Sequence, residues 1–160
     1  MHIRHVLSIL VANHAGVLGR ISGLFSRRGY NIDSLSVGTT EDPRYSRITV
    51  SVLGDERVMD QIQKQVDKLV DVLEVIELPP ESSIYRELCF VKVEADAGKR
   101  SEIFGIANVF RANIIDVTLR TITVEMTGDL EKIEAFIELM KPYGILKIVR
   151  TGLTGIARGI

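Results

Sequence analysis

The 160-residue chain has 1 cysteine, no tryptophan, 4 prolines and only 6% aromatic residues. Cys89 alone cannot close an intrachain disulfide, which excludes a disulfide-stapled secreted scaffold. An excess of charge of one sign is also missing. The 20 Lys+Arg and 21 Asp+Glu leave a net charge of −1, so nothing pulls the chain as a whole toward nucleic acid or an anionic membrane. No apolar run approaches the roughly 18–20 residues of a spanning helix. What is present is an ordinary packed-protein composition. Hydrophobic residues make up 46% and charged residues 26%, which excludes disorder as the overall description. The expected location is cytoplasmic, and the length allows one domain or two of about 75 residues.

Met1–His5 followed by Val6–Ala12 has the outline of a short signal peptide. The pattern fits a strand better. Ile3, Leu7, Ile9 and Val11 share one face, Arg4 and Ser8 the other, and no small-residue cleavage pair follows. Val17, Leu18, Ile21, Leu24 and Phe25 then have helical spacing, and Gly29 suits the left-handed residue that ends a helix. Strands are expected over Ile32–Val37, Ile48–Val52 and Val70–Leu78. A helix bearing Val58, Met59, Ile62, Val66 and Leu69 lies between the last two, capped by Asp55. Residues 79–85, beginning Pro79-Pro80, read as a linker. The order then repeats: a strand over Leu88–Val93, a helix with Ile103, Ile106, Ala107 and Phe110, and strands at Ile114–Val117 and Ile122–Met126. A helix with Ile133, Phe136, Ile137 and Met140 and a strand over Ile145–Val149 complete it.

The fold class read from this order is α+β, with two ferredoxin-like βαββαβ domains at residues 1–78 and 86–160, the second ending in a flexible tail. Helices cover only one face of each sheet. The other face of the first strand carries Val6, Leu10 and Ala12, so pairing with at least one more copy is expected.

Enzyme constellations are poor. His2 and His5 fall on opposite faces of the first strand, and neither they nor His14 has the cysteine or carboxylate partners of a metal site. Cys89 reads as a small core residue. There is no phosphate-binding glycine loop, zinc-protease motif or nucleophile elbow. RNA-recognition domains share the element order but need stacking aromatics on their central strands, and Arg47–Val52 holds none. No catalytic residue, metal, nucleic-acid partner or membrane partner is expected.

The informative segment is the turn Asn13-His14-Ala15-Gly16-Val17-Leu18. Free amides at a helix start favour a carboxylate or phosphate, and Gly16 permits close approach. Asn13 either caps the helix or bonds a ligand. Asn31, after Gly29, offers a second amide or merely completes a turn.

The run Asn13-x-x-Gly16-Val17-Leu18-x-Arg20-Ile21-x-Gly23-Leu24-Phe25-Ser26-x-Arg28-Gly29-Tyr30-Asn31-Ile32-Asp33-Ser34-Leu35 closely resembles the ACT domain of the regulatory (small) subunit of acetohydroxyacid synthase, also called acetolactate synthase. The likeness continues through Asp42-Pro43, Ser46-Arg47, Gly54-Asp55, Ile62-x-Lys64-Gln65 and Lys68–Val72. In the second half it takes in Arg86-Glu87-Leu88, Ile115-Asp116-Val117, Thr127-Gly128, Arg150-Thr151-Gly152 and Ala157-Arg158-Gly159. One departure is Leu119, where a turn proline belongs.

The resemblance implies a non-catalytic chain without cofactors of its own. It implies a catalytic large-subunit partner, dependent on thiamine diphosphate, Mg and FAD, that makes acetolactate for valine, leucine and isoleucine synthesis. The small subunit would raise the partner's activity and confer feedback inhibition by valine. Effector binding is implied at a dimer interface, with Asn13, Gly16, Val17 and Leu18 from one chain and Asn31 and Ile32 from its neighbour. The second domain, with Ala95–Arg100 in place of Asn13–Leu18, would be a structural or transmitting copy. Alternatives are a free-standing amino-acid-binding ACT regulator and an acylphosphatase-like enzyme using Arg20.

Overall fold

The computed structural model describes residues 3–160. Met1 and His2 lie outside them, and with them the expected placement of His2 relative to His5. The chain divides into two units, one running to Ile84 and taking in Leu153–Ile160, the other Tyr85–Gly152. Both are α+β and ferredoxin-like.

In the first unit, β1 (Ile3–Ala12), α1 (Val17–Arg27), β2 (Ile32–Thr39), β3 (Tyr45–Gly54), α2 (Glu56–Asp67) and β4 (Val72–Glu77) give an antiparallel sheet in the order β2-β3-β1-β4. Period-2 alternation sets the core. Leu7, Ile9 and Val11 point to the helices beside Ile48 and Val50 of the neighbouring strand. Val17, Ile21, Leu24 and Phe25 of α1 and Met59, Ile62 and Val66 of α2 close over them. Each such side chain contributes roughly 1.5–3 kcal/mol by leaving water.

The start of α2 and the end of α1 follow local chemistry. Asp55 accepts a 2.9 Å hydrogen bond from the Val58 amide, as its position predicts. After α1, Gly29 takes φ +69°, its amide donates to Ser26 and the Tyr30 amide to Phe25. The Tyr30 ring packs edge-on against Phe25 at 6.1 Å, so the backbone turn and an apolar contact end the helix together.

Two of the boundaries that differ from the sequence reading lie between the halves of the chain. The fourth strand starts at Val72 rather than Val70, because Leu69 turns inward onto the core and leaves Val70 99% exposed in the preceding turn. The segment read as a linker is a short 3-10 turn, Pro80–Ser82, and the next strand begins at Ser83.

The second unit carries most of β5 (Ser83–Glu94), then α3 (Arg100–Val109), β6 (Asn113–Val117), β7 (Thr121–Gly128), α4 (Leu130–Met140) and β8 (Ile145–Arg150). Its strand order β6-β7-β5-β8 repeats that of the first sheet. Cys89, Val91 and Val93 pack with Ile122, Val124 and Met126 under Ile103, Ala107, Ile133, Phe136 and Met140. Cys89 is fully buried, and burial pushes its thiol above the ordinary value, the state of a core residue rather than a nucleophile.

Helix α3 ends as α1 does, with Arg111 amide to Asn108 and Ala112 amide to Ala107, but Arg111 stands where Gly29 stands, at φ +54°. A left-handed non-glycine residue costs roughly 1–2 kcal/mol, part of which glycine returns through chain entropy. Arg111→Gly should therefore stabilise the chain by about 0.5–1 kcal/mol, read as a higher urea midpoint. An unchanged or lower midpoint would show that the Arg111 side chain offsets its backbone.

The C-terminal residues, expected as a flexible tail of the second domain, instead carry β9 (Thr154–Ala157) and group with the first unit. β9 touches β1 and β3. The Leu153 amide donates to Ser34 Oγ at 3.2 Å, Ser36 Oγ donates to the Leu153 carbonyl at 3.1 Å, and the Arg158 amide reaches the Ser82 carbonyl at 2.8 Å. Leu153 is buried, as are Val6 and Ser8 on the sheet face away from the helices. Part of the exposed-face problem is thus answered within one chain by its own last residues, while Leu10 and Ala12 stay only half-buried.

Candidate functional site

The turn after β1 is pinned from both sides. The Ala12 amide donates to Asp71 at the start of β4, and the Asn13 amide to Arg44 at the start of β3. The Asn13 side chain donates to the Pro43 carbonyl at 2.9 Å, so Asn13 does not cap α1. Gly16 holds the capping position at φ +88°, in the left-handed region, and supplies no side chain. Among the described residues α1 is the one α-helix with neither a capping side chain nor an acidic residue in its first turn. α2 has Asp55 and Glu56, α3 has Glu102, and α4 has Asp129 and Glu131. The Val17 side chain is 3% exposed and belongs to the core, so only its amide faces the turn, whereas Leu18 is 41% exposed.

Three residues outside the expected effector set line this turn, Arg20 among them, which the sequence offered only for the acylphosphatase-like alternative. Arg20 hydrogen-bonds Asp71, and His14 Nε2 lies 2.9 Å from the other oxygen of the same carboxylate. Burial acts to raise the Asp71 carboxyl, but the Arg20 guanidinium and the His14 ring outweigh it and hold the group below its ordinary value. A Cβ on Gly16 would come within 3.3 Å of Arg20 Nη1, so the guanidinium sits at the lip of the turn. Engaged by Asp71, Arg20 is not a free phosphate-holding arginine of the acylphosphatase kind. No periodicity signals a contact 51 positions apart.

Asn31 and Ile32 stand at the far end of α1, an 11-residue helix about 16 Å long. Ile32 pairs across from Val52, which pairs with His5, while Ala12 pairs with Tyr45. Seven steps along a strand at about 3.4 Å separate the two ends by roughly 24 Å. One chain therefore brings Asn13, Gly16 and Leu18 together and keeps Asn31 and Ile32 away from them.

Residues 7–74 match the family described as the AHAS small subunit-like ACT domain, and residues 86–159 the one described as the small subunit of acetolactate synthase. The chain belongs to the acetolactate synthase small-subunit family. It is 49% identical to a probable acetolactate synthase small subunit of Methanothermobacter thermautotrophicus over 97% of this chain and 93% of that one. It is 44% identical to the acetolactate synthase isozyme 3 small subunit of Salmonella typhimurium over 98% and 97%. A solved acetolactate synthase small subunit from Thermotoga maritima superimposes with a TM-score of 0.92 at 39% identity, covering 99% of each chain.

Both halves are thus accounted for by one family, and the turn at Gly16 lies inside the matched ACT segment. A regulatory, non-catalytic chain follows from that membership. Among the described residues no group of His, Cys, Asp and Glu is arranged to hold a metal ion. No described helix is long and apolar enough to cross a membrane.

Proposed function

We propose that this chain is the valine-sensing regulatory subunit of a cytoplasmic acetolactate synthase, raising the activity of a thiamine-diphosphate-dependent catalytic chain and imposing feedback inhibition on it. The observation that carries the reading is the uncapped start of α1. Its first-turn amides and the positive end of its dipole are left for an anion. An amino acid's carboxylate fits there, with Leu18 beside it for an apolar side chain.

The separation of Asn31 and Ile32 from Gly16 is answered by a second copy. Gly19, Ser22, Gly23 and Ser26 form a stripe of small residues along α1, and a Cβ on either glycine would meet nothing within 4 Å in this chain. Each glycine costs the helix about 0.8–1 kcal/mol against alanine, a cost that no internal contact explains. Close antiparallel packing of α1 on its own copy explains it. Such packing sets the start of one α1 beside the end of the other, so Asn31 and Ile32 of the second copy complete the pocket.

Burying a valine side chain is worth roughly 1.5–3 kcal/mol and each charge-assisted hydrogen bond a similar amount. After ordering and desolvation costs, a dissociation constant between about 1 μM and 1 mM is reasonable. A coupling of roughly 1–3 kcal/mol suffices to pass the signal to the partner.

The test is co-expression with the catalytic chain of the same source. Co-purification, higher acetolactate production and inhibition by valine support the reading. A catalytic chain that stays separate while valine still binds would favour a free-standing amino-acid regulator. Asn31→Ala should weaken valine binding at least about fivefold in calorimetry, by about 1 kcal/mol. Gly23→Leu should lower the assembly size and the valine affinity together with helix content unchanged; undiminished affinity would remove α1 packing from the account.

A further inference from the structure

The sheet of the second unit has one face turned away from its helices, and that face carries both apolar and charged side chains. Phe90, Ile115, Thr123 and Val149 line an apolar depression of about 270 Å³ together with Lys92 and Lys147. Ile115 and Val149 are each 49% exposed. Lys92 and Lys147 pair directly across β5 and β8, where like charges repel. On the other two strands of the same face, Asp116 pairs with Thr123, and Glu125 pairs with Phe90. Among the described residues none of these four charged groups forms an ion pair. The Thr123 hydroxyl is buried with no hydrogen-bond partner.

The register makes the face self-complementary. One row across the sheet reads Asp116 on β6, Thr123 on β7, Lys92 on β5 and Lys147 on β8. The acidic half is β6–β7 and the basic half β5–β8. A two-fold axis running along the strands between β7 and β5 lays this row on its own copy in reverse order. Lys147 then meets Asp116 of the other copy twice over. Lys92 meets the other Thr123, beside Glu125, and gives the orphaned hydroxyl a donor. Phe90, Ile115 and Val149 are covered in the same step. Sheets stacked face to face lie about 10 Å apart, within reach of a lysine and a carboxylate extended toward each other.

We propose that this face of the second unit is an interface with a second copy of the chain, paired face to face through Lys147–Asp116 contacts. It is separate from the α1 packing described above and stands whether or not valine binds there.

Within one chain Asp116 and Lys147 are three strand spacings apart, about 14 Å, too far for a direct bond. Carbodiimide treatment of a mixture of isotopically light and heavy full-length chain should therefore give Lys147–Asp116 peptides that join one light and one heavy partner. Lys147→Glu alone sets acid against acid at both contacts, and Asp116→Lys alone sets lysine against lysine. Each should weaken association through this face at least tenfold in sedimentation. Mixing the two variants makes every contact opposite in charge and should restore association to within about threefold of the native chain. Both positions are exposed, so neither change disturbs the core. Variants that sediment as the native chain does, or a mixture as dissociated as its components, would overturn the pairing. So would native chain in which Lys147 links only to carboxylates of another protein.

Discussion

Arg150→Ala is expected to cost the second unit about 3–5 kcal/mol, enough to lower its urea midpoint drastically or leave it unfolded. Glu87 is 3% exposed inside β5, and Arg150, at the end of β8, holds it with two bonds, Nε to Oε1 at 2.6 Å and Nη2 to Oε2 at 3.0 Å. The third arm of the guanidinium reaches Glu134 of α4 at 2.8 Å, so one side chain joins two strands and a helix. Glu87 chiefly, with Glu134 behind it, holds the Arg150 guanidinium protonated more firmly than in water, while burial works the other way. Removing the arginine leaves a carboxylate in the sheet with nothing to replace its hydration. Because much of the loss is that stranded charge, Arg150→Met combined with Glu87→Leu should recover most of the stability, as replacing both partners of a buried pair does. A midpoint for Arg150→Ala within about 1 kcal/mol of the native chain would show that water solvates Glu87 through an opening the structure does not have.

Both partners of that pair stand in segments the sequence already marks as characteristic, Arg86-Glu87-Leu88 and Arg150-Thr151-Gly152, yet nothing in either says that they meet. This marks the limit of what is legible in one dimension. Element types and order read directly from periodicity, since Leu7, Ile9 and Val11 alternate and Ile21, Leu24 and Phe25 wind. Asp55 caps α2 where its position predicts, and Asp129, also after a glycine, caps α4 in the same way. Gly29 ends α1 in the left-handed conformation expected of it. Contacts made by closing long loops are not legible. The return of Leu153 to Ser34 and Ser36, the Asp71 carboxylate beneath Arg20 and the Asn13 side chain turned to Pro43 all depend on partners dozens of residues away. The glycine-rich tail Arg150–Ile160 reads as free because its local propensity is weak, and the sheet that receives Leu153 exists only once β1, β2 and β3 have paired. At the candidate site Gly16 takes the left-handed conformation at the start of α1, and the apolar side chain of Val17 serves the core as its helical spacing predicts.

Gly16→Asp is expected to abolish inhibition by valine while leaving activation of the catalytic chain in place. In the left-handed conformation at φ +88° an aspartate is better tolerated than most residues, and the strain is about 1–2 kcal/mol. Its Cβ would stand 3.3 Å from Arg20 Nη1, which gives the new carboxylate a cation beside it. More important, an acid at the capping position supplies what α1 lacks. It accepts from the first-turn amides and occupies with its own charge the place offered to the effector's carboxylate. The substitution thus closes the site from within and adds repulsion to it, and valine affinity should fall at least a hundredfold, about 2.7 kcal/mol. Gly16→Asn separates the two effects. It caps the same amides with similar backbone strain but carries no charge, and should cost about tenfold. Equal losses in the two variants would assign the effect to capping and backbone strain rather than to charge, and undiminished valine inhibition in Gly16→Asp would place the carboxylate of the effector elsewhere.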